Sequence, residues 1–285
     1  MRQGAGRRRS LPGELVYWPM TGKGQMRIGT SSVRRYFFQM FAWIFALSVA
    51  HAAVCDPRAF HGAYGFSLTG TTTIGGPARP VAVVGRVVVD DSGNLSGISS
   101  ASFTGLILGN HVTGKVLPQT DCSVTLTLQD DSGNFQHFAG TINADSGRVA
   151  FRQTDPGGAQ NGILLRTTNG CSASSLAGAF KVKASGRTVD PNTGVDSGHV
   201  SVRGVLIADG ARNLSFDSGP DEPALAAGNY EVAEDCFVTL VLELPADEHK
   251  TAAMHFRAIL VDDGREVLGI QTDPGAVVAL RLVSR

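Results

Sequence analysis

From Cys55 onward the chain repeats itself, and this limits how it can fold more than any other feature of the sequence. The string "QTDPG" at Gln153–Gly157 returns at Gln271–Gly275, 118 positions later. Other strings return in the same order. "CDPRAFHGAYGFSL" is answered by "CSASSLAGAFKVKA", "VGRVVVDDSGNLS" by "RGVLIADGARNLS", "GKVLPQTDCSVTLTL" by "GNYEVAEDCFVTLVL", and "FAGTINADSGRVAFRQTDPG" by "FRAILVDDGREVLGIQTDPG". One unit of about 115 residues is used twice, as residues 55–168 and 171–285. Whatever the first copy folds into, the second must fold into as well. The junction "RTTNGC" is too short for a flexible spacer, so the copies should sit close together.

Inside each copy apolar and polar residues alternate at period two, and no helical period is sustained. In "SVTLTLQ", Val124, Leu126 and Leu128 share one face; in "FVTLVLEL", Val238, Leu240, Leu242 and Leu244 do. Turn strings punctuate these runs: "DDSGN" at Asp90–Asn94 and Asp130–Asn134, "NADSG" at Asn143–Gly147, "VDDG" at Val261–Gly264. The pattern predicts about eight short strands per copy. In the first copy they centre near Tyr64, Val87, Ser99, Val112, Leu126, Phe138, Phe151 and Leu164. Eight antiparallel strands in series can close into a barrel, which removes both exposed edges. The expected fold is therefore all-β, two tandem antiparallel up-and-down β-barrels, with β-sandwiches of the same strands as the alternative. The 35 glycines suit strongly coiled strands that need bends.

Four cysteines allow three connectivities. The spacings, 67 from Cys55 to Cys122 and 65 from Cys171 to Cys236, favour bridges within each copy. Loops of that length contribute about 4 kcal/mol each by restricting the unfolded chain. No Cys or His stands at zinc-ligand spacing, so neither a metal nor another cofactor is expected.

Asp155-Pro156-Gly157 and Asp273-Pro274-Gly275 are turn tripeptides. Pro presets φ, Gly accepts a left-handed conformation, and Asp is expected to accept hydrogen bonds from backbone N–H groups ahead of it. Each is read as the hairpin corner before the last strand of its copy. Gln153 shares a face with Val149 and Phe151, and Gln271 with Val267. An inward amide needs partners. These two glutamines, with Tyr64 and Tyr230, are the candidate ligand-lining residues.

Residues 1–53 read as a leader. Arg34-Arg35 precede a 15-residue apolar run, Tyr36–Ala50, and the small-residue pattern Ala50-His51-Ala52. The run is shorter than the roughly 20 residues of a bilayer span, and Met26 stands where such a signal would begin. Export to the periplasm or the cell exterior is expected, with no membrane span after cleavage. The leader also skews the charge. Residues 1–54 carry eight Lys/Arg and one acidic residue, whereas residues 55–285 carry 17 Lys/Arg against 24 Asp/Glu. A mildly acidic body without a basic cluster excludes nucleic acid as a partner.

An exported unit that opens with Gly62-Ala63-Tyr64 and continues as an eight-strand meander resembles the lipocalin and avidin-type barrels, which enclose small apolar ligands. Tyr64 and Phe180 stand where lipocalins carry Trp, and both tryptophans, Trp18 and Trp43, lie in the leader. The Asp121-Cys122 and Asp235-Cys236 strand starts and the "TDPG" corners are similar to those of uncharacterised bacterial exported proteins built from tandem cysteine-bearing repeats. That resemblance implies export and a β-barrel, and no known activity.

No GxSxG, HExxH or phosphate loop is present. His61, His111, His137, His199, His249 and His255 form no i, i+4 pair, and none is expected to align with a histidine of the other copy. Asp90-Asp91 and Asp130-Asp131 lack the ligand spacing of a calcium loop and read as solvated turns. The function expected is that of an exported, non-enzymatic barrel protein. It would bind a small apolar ligand or serve as an envelope or extracellular structural module. The alternatives are a small-barrel cyclase or isomerase acting through the inward polar residues, and an adhesion module presenting an apolar patch.

Overall fold

A computed structural model describes residues 55–73, 78–143, 147–216, 225–247 and 250–285. The segment read as a leader lies outside them, as does the middle of the "NADSG" turn. Eight strands form the first barrel: β1 (Gly62–Thr72), β2 (Arg79–Val89), β3 (Asn94–Phe103), β4 (Leu106–Pro118), β5 (Ser123–Asp130), β6 (Phe135–Ile142), β7 (Val149–Gln153) and β8 (Ala159–Arg166). Neighbours in sequence pair antiparallel, and β1 closes on β8 from Tyr64↔Arg166 to Thr71↔Ala159. The second barrel repeats the arrangement with β9 (Ala177–Val189), β10 (Asp196–Asp209), β11 (Asn213–Phe216), β12 (Leu225–Val232), β13 (Phe237–Asp247), β14 (Lys250–Val261), β15 (Glu266–Gln271) and β16 (Ala276–Ser284). It closes through β16 and β9, from Ala276↔Thr188 to Ser284↔Phe180. Each of the eight centres read from the first copy falls in a different strand. The sheets close into barrels; they are not sandwiches. Helix among the described residues is confined to three single 3-10 turns, and none is long and apolar enough to cross a membrane.

Alternation decides which side chains fill each barrel. In β5, Val124, Leu126 and Leu128 are buried while Thr125 between them is exposed. They join Tyr64, Phe66 and Phe138 in the core of the first barrel, and Phe180, Leu240 and Phe256 sit in that of the second. A third apolar cluster lies between the barrels, where Ala82, Val84 and Leu165 meet Ile259, Leu268 and Ile270. β15 serves two of these cores, so all six of its residues are buried. Val267 faces the barrel interior while Leu268 and Ile270 face the seam. A Cβ on Gly65 of β1 would stand 2.4 Å from Val261 Cγ1, so the close approach of the two walls depends on glycine there.

Disulfides Cys55–Cys122 and Cys171–Cys236 each tie the segment before a barrel's first strand to the turn before its fifth. Cys122 and Cys236 adopt φ of 66° and 69°, a conformation uncommon outside glycine. The preceding aspartates support both turns. Asp121 Oδ1 accepts from Ser123 N at 2.9 Å, and Asp235 Oδ1 from Phe237 N at 3.2 Å.

Candidate functional site

The first barrel is splayed at the end away from its disulfide. β4 pairs with β3 from Leu106 onward but meets β5 only from Val112, opposite Asp130. Leu106–His111 therefore have a strand partner on one side only, and beside them lies a cavity of about 250 Å³. Its walls are apolar: Phe66, Leu68, Val83, Ala101, Val112 and Leu128. Ser99, Asn110, Gln136 and Gln160 are among its polar groups, and Asp130 is the only ionisable side chain among the described lining residues. Leu106, Ile107 and Leu108 stand exposed along this free edge. The Thr104-Gly105 turn that launches them has positive φ at both residues, as the type I′ form of a two-residue hairpin requires.

Gln160 is the polar anchor of the cavity. It projects inward from β8 and is 2% exposed. Its Nε2 donates to Gln136 Oε1 and to Gln153 Oε1, both at 3.2 Å, and Gln153 Nε2 donates to Asp155 Oδ2 at 3.2 Å. An amide chain thus runs from the repeated corner into the cavity. Gln153 itself borders a more open groove of about 480 Å³ at the tip of the β7–β8 hairpin, which Gln160 also lines, and touches the cavity only through Gln160. Gly158 makes room for it, since a Cβ there would stand 2.1 Å from Gln153 Oε1.

In the second barrel this chain stops after one step. Gln271 Nε2 donates to Asp273 Oδ2 at 2.8 Å, but the residues 118 positions beyond Gln136, Gly158 and Gln160 are Met254, Ala276 and Val278. The Oε1 of Gln271 is buried without a hydrogen-bond partner among the described residues. Met254 and Val278 instead join the core of that barrel.

The two candidate tyrosines lie at the disulfide ends. Tyr64 stacks on Phe60 at 4.8 Å, with the Arg166 guanidinium 5.3 Å from its ring centroid. Burial raises its hydroxyl pKa, and the Arg166 charge works the other way. Tyr230 donates to Leu176 O at 2.8 Å, with Ala173 O at 3.1 Å, and so fastens the segment before β9. Of Gln153, Gln271, Tyr64 and Tyr230, only Gln153 is brought next to the cavity.

The repeated corner has a second function in the fold, and two sequence-based expectations need correction. Gly157 and Gly275 both take φ of 77°, and the N–H three residues after each Asp donates to its carbonyl, so the turns form. The Asp carboxylates, however, do not cap N–H groups ahead. They reach back across the hairpin. Asp155 Oδ2 accepts from His137 N at 2.7 Å and Oδ1 pairs with His137 Nδ1 at 2.8 Å; Asp273 holds His255 likewise at 2.9 and 2.6 Å. His137 and His255 therefore do align, at the same offset of 118 as the corner. The carboxylate takes the place of a strand neighbour just past the end of the β6–β7 and β14–β15 ladders, and the histidine ring adds a second contact at both sites. Burial tends to raise the pKa of Asp155 and Asp273, but the donors from histidine and glutamine outweigh it and hold both below the usual carboxylate value.

Several other carboxylates serve turns. Asp90 accepts from the N–H groups of Ser92 and Asn94, and its counterpart Asp209 from those of Ala211 and Asn213. Asp131 caps the N–H of His111 on the free edge of β4 at 2.8 Å. Among the described residues no group of three or more His, Cys, Asp or Glu converges to hold a metal ion. No protein-family model matches the chain, and no curated protein matches it.

Proposed function

We propose that the first barrel binds a small apolar molecule and that the second is its packed scaffold. The observation that carries this reading is the apolar cavity with the Gln160 amide buried in its wall. Its volume, about 250 Å³, lies just under the range of about 300–1,000 Å³ common for ligand pockets, so a ligand smaller than a typical drug fits. Binding is favoured over catalysis because the lining offers amides and hydroxyls. Acid–base chemistry needs a positioned group that titrates near the working pH, and Asp130 is engaged with the N–H and hydroxyl of Ser132. Two disulfides fit an oxidising compartment. With the leader-like segment, they support an exported protein acting in the periplasm or outside the cell.

Native mass spectrometry of protein purified from its own host tests the reading. A retained small molecule is expected, and Ala101→Phe, which fills the cavity, should lose it without a change in the intact disulfides. Protein that retains nothing and takes up no apolar compound from a screen would overturn it. So would binding that survives Ala101→Phe.

A further inference from the structure

Resting on that reading, we infer that the ligand carries no negative charge and presents a hydroxyl or N–H group to the Oε1 of Gln160. The first half of the inference comes from charge. No Lys, Arg or His is among the described residues that line the cavity, and its single ionisable group, Asp130, is acidic. An anion entering an apolar cavity would lose its hydration without gaining a counter-ion, a cost that only pairing offsets. Carboxylates, including fatty acids, are therefore the wrong class.

The second half comes from hydrogen bonding. Nε2 of Gln160 is committed to two acceptors, Gln136 Oε1 and Gln153 Oε1. The Gln153 contact also fixes which end of the amide is nitrogen, because Gln153 gives its own Nε2 to the Asp155 carboxylate and so presents oxygen to Gln160. The remaining functional atom of Gln160 is its carbonyl oxygen, on a side chain that is 2% exposed and lines the cavity. In the empty cavity water can meet this oxygen, but an apolar ligand that displaces the water without supplying a donor leaves it unpaired at a cost. Support from Gln153, which is itself held by Asp155, presets the orientation of the amide before any ligand arrives. A preset acceptor discriminates against an isostere that lacks the donor, because binding that isostere leaves the acceptor unpaired. The second barrel shows the contrast: it has Val278 at the matching position, and the unpaired amide oxygen it does hold, Oε1 of Gln271, is not among the groups that line the cavity.

Three probes of matched length separate the possibilities: octan-1-ol, its isomer 1-methoxyheptane, and octanoate. Titrated calorimetrically into the full chain at neutral pH, the alcohol should bind about tenfold more tightly than the ether, and octanoate more weakly than either. Gln160→Met should bring alcohol and ether to equal affinity without weakening the ether. Gln136→Leu, which keeps the Gln160–Gln153 contact, provides a second variant in which the alcohol preference should persist. Octanoate binding as tightly as the alcohol overturns the inference and leaves the cavity reading standing. An alcohol preference that survives Gln160→Met does the same. If none of the three binds, both readings fall together.

Discussion

Asp155 gathers three donors onto one carboxylate: the N–H and ring of His137 and the amide of Gln153. Asp273 repeats this with His255 and Gln271. Because both carboxyls titrate below their unfolded value of about 3.9, their contribution to stability is fully present above that pH. It is lost as pH falls toward the folded pKa. Asp155→Ala and Asp273→Ala should each lower unfolding free energy by roughly 1–3 kcal/mol at pH 6. The difference from wild type should narrow at pH 3, read from urea midpoints at the two values. A gap that is equally wide at pH 3 would show that the carboxylate charge is not what matters. The site was only partly legible at this scale. Gln153 could be placed from its face-sharing with Phe151. Gln160 could not, because an isolated polar residue in "AQNGILLR" does not announce whether it faces in or out. The His–Asp clasp was hidden for a different reason: period-two alternation reports burial and is silent on polar contacts across a hairpin. Its one sequence trace is that His and Asp stand 18 residues apart in both copies.

The elements themselves were far more legible, since strand burial follows alternation directly. Strand ends were less so. The apolar triplet Leu106-Ile107-Leu108 defeats a face assignment, and nothing in it reveals that β4 starts six residues before β5 can pair with it. Where the copies differ, paired strands compensate one another. In the first barrel Phe151 of β7 lies opposite Gly162 of β8; in the second, Gly269 of β15 lies opposite Leu280 of β16. One bulky side chain serves each pair, supplied from opposite strands. A Cβ on Gly162 would stand 2.5 Å from the Phe151 ring and 2.7 Å from Leu68 Cδ2, so Gly162→Leu alone overpacks the interior. The expected cost is about 1–3 kcal/mol. Adding Phe151→Gly recreates the pairing of the second barrel and should recover at least half of that loss, a coupling that a double-mutant cycle measures. Simple additivity of the two substitutions would sink the idea.

At the scale of the molecule the two identical corners have acquired different surroundings. Gly157 looks onto the side chain of Thr73, and a Cβ there would lie 3.2 Å from its methyl group. Gly275 is built into the seam between the barrels. Its N–H donates to Gly105 O at 2.9 Å, Ser102 Oγ donates to the neighbouring Ala276 O at 2.6 Å, and a Cβ would stand 2.8 Å from Val189 O. Glu266 adds a nearly buried carboxylate that binds Arg148 of the first barrel and Arg281 of the second. Each barrel has its own core and its own disulfide, so their joint stability depends on this seam. The same substitution should therefore have unequal effects. Gly157→Ala meets only the strain of a left-handed alanine, about 1–2 kcal/mol, and unfolding should remain a single transition. Gly105→Ala, on the other side of the same seam, meets that strain at φ 78° and places a Cβ 2.5 Å from Gly275 Cα of the second barrel, and relief requires the barrels to move apart. Differential scanning calorimetry should show a lower and broader transition for Gly105→Ala, resolving into two as the barrels uncouple. Equal destabilisation by the two alanines, with one sharp transition in both, would mean that the seam contributes nothing to cooperativity and that the barrels are merely adjacent.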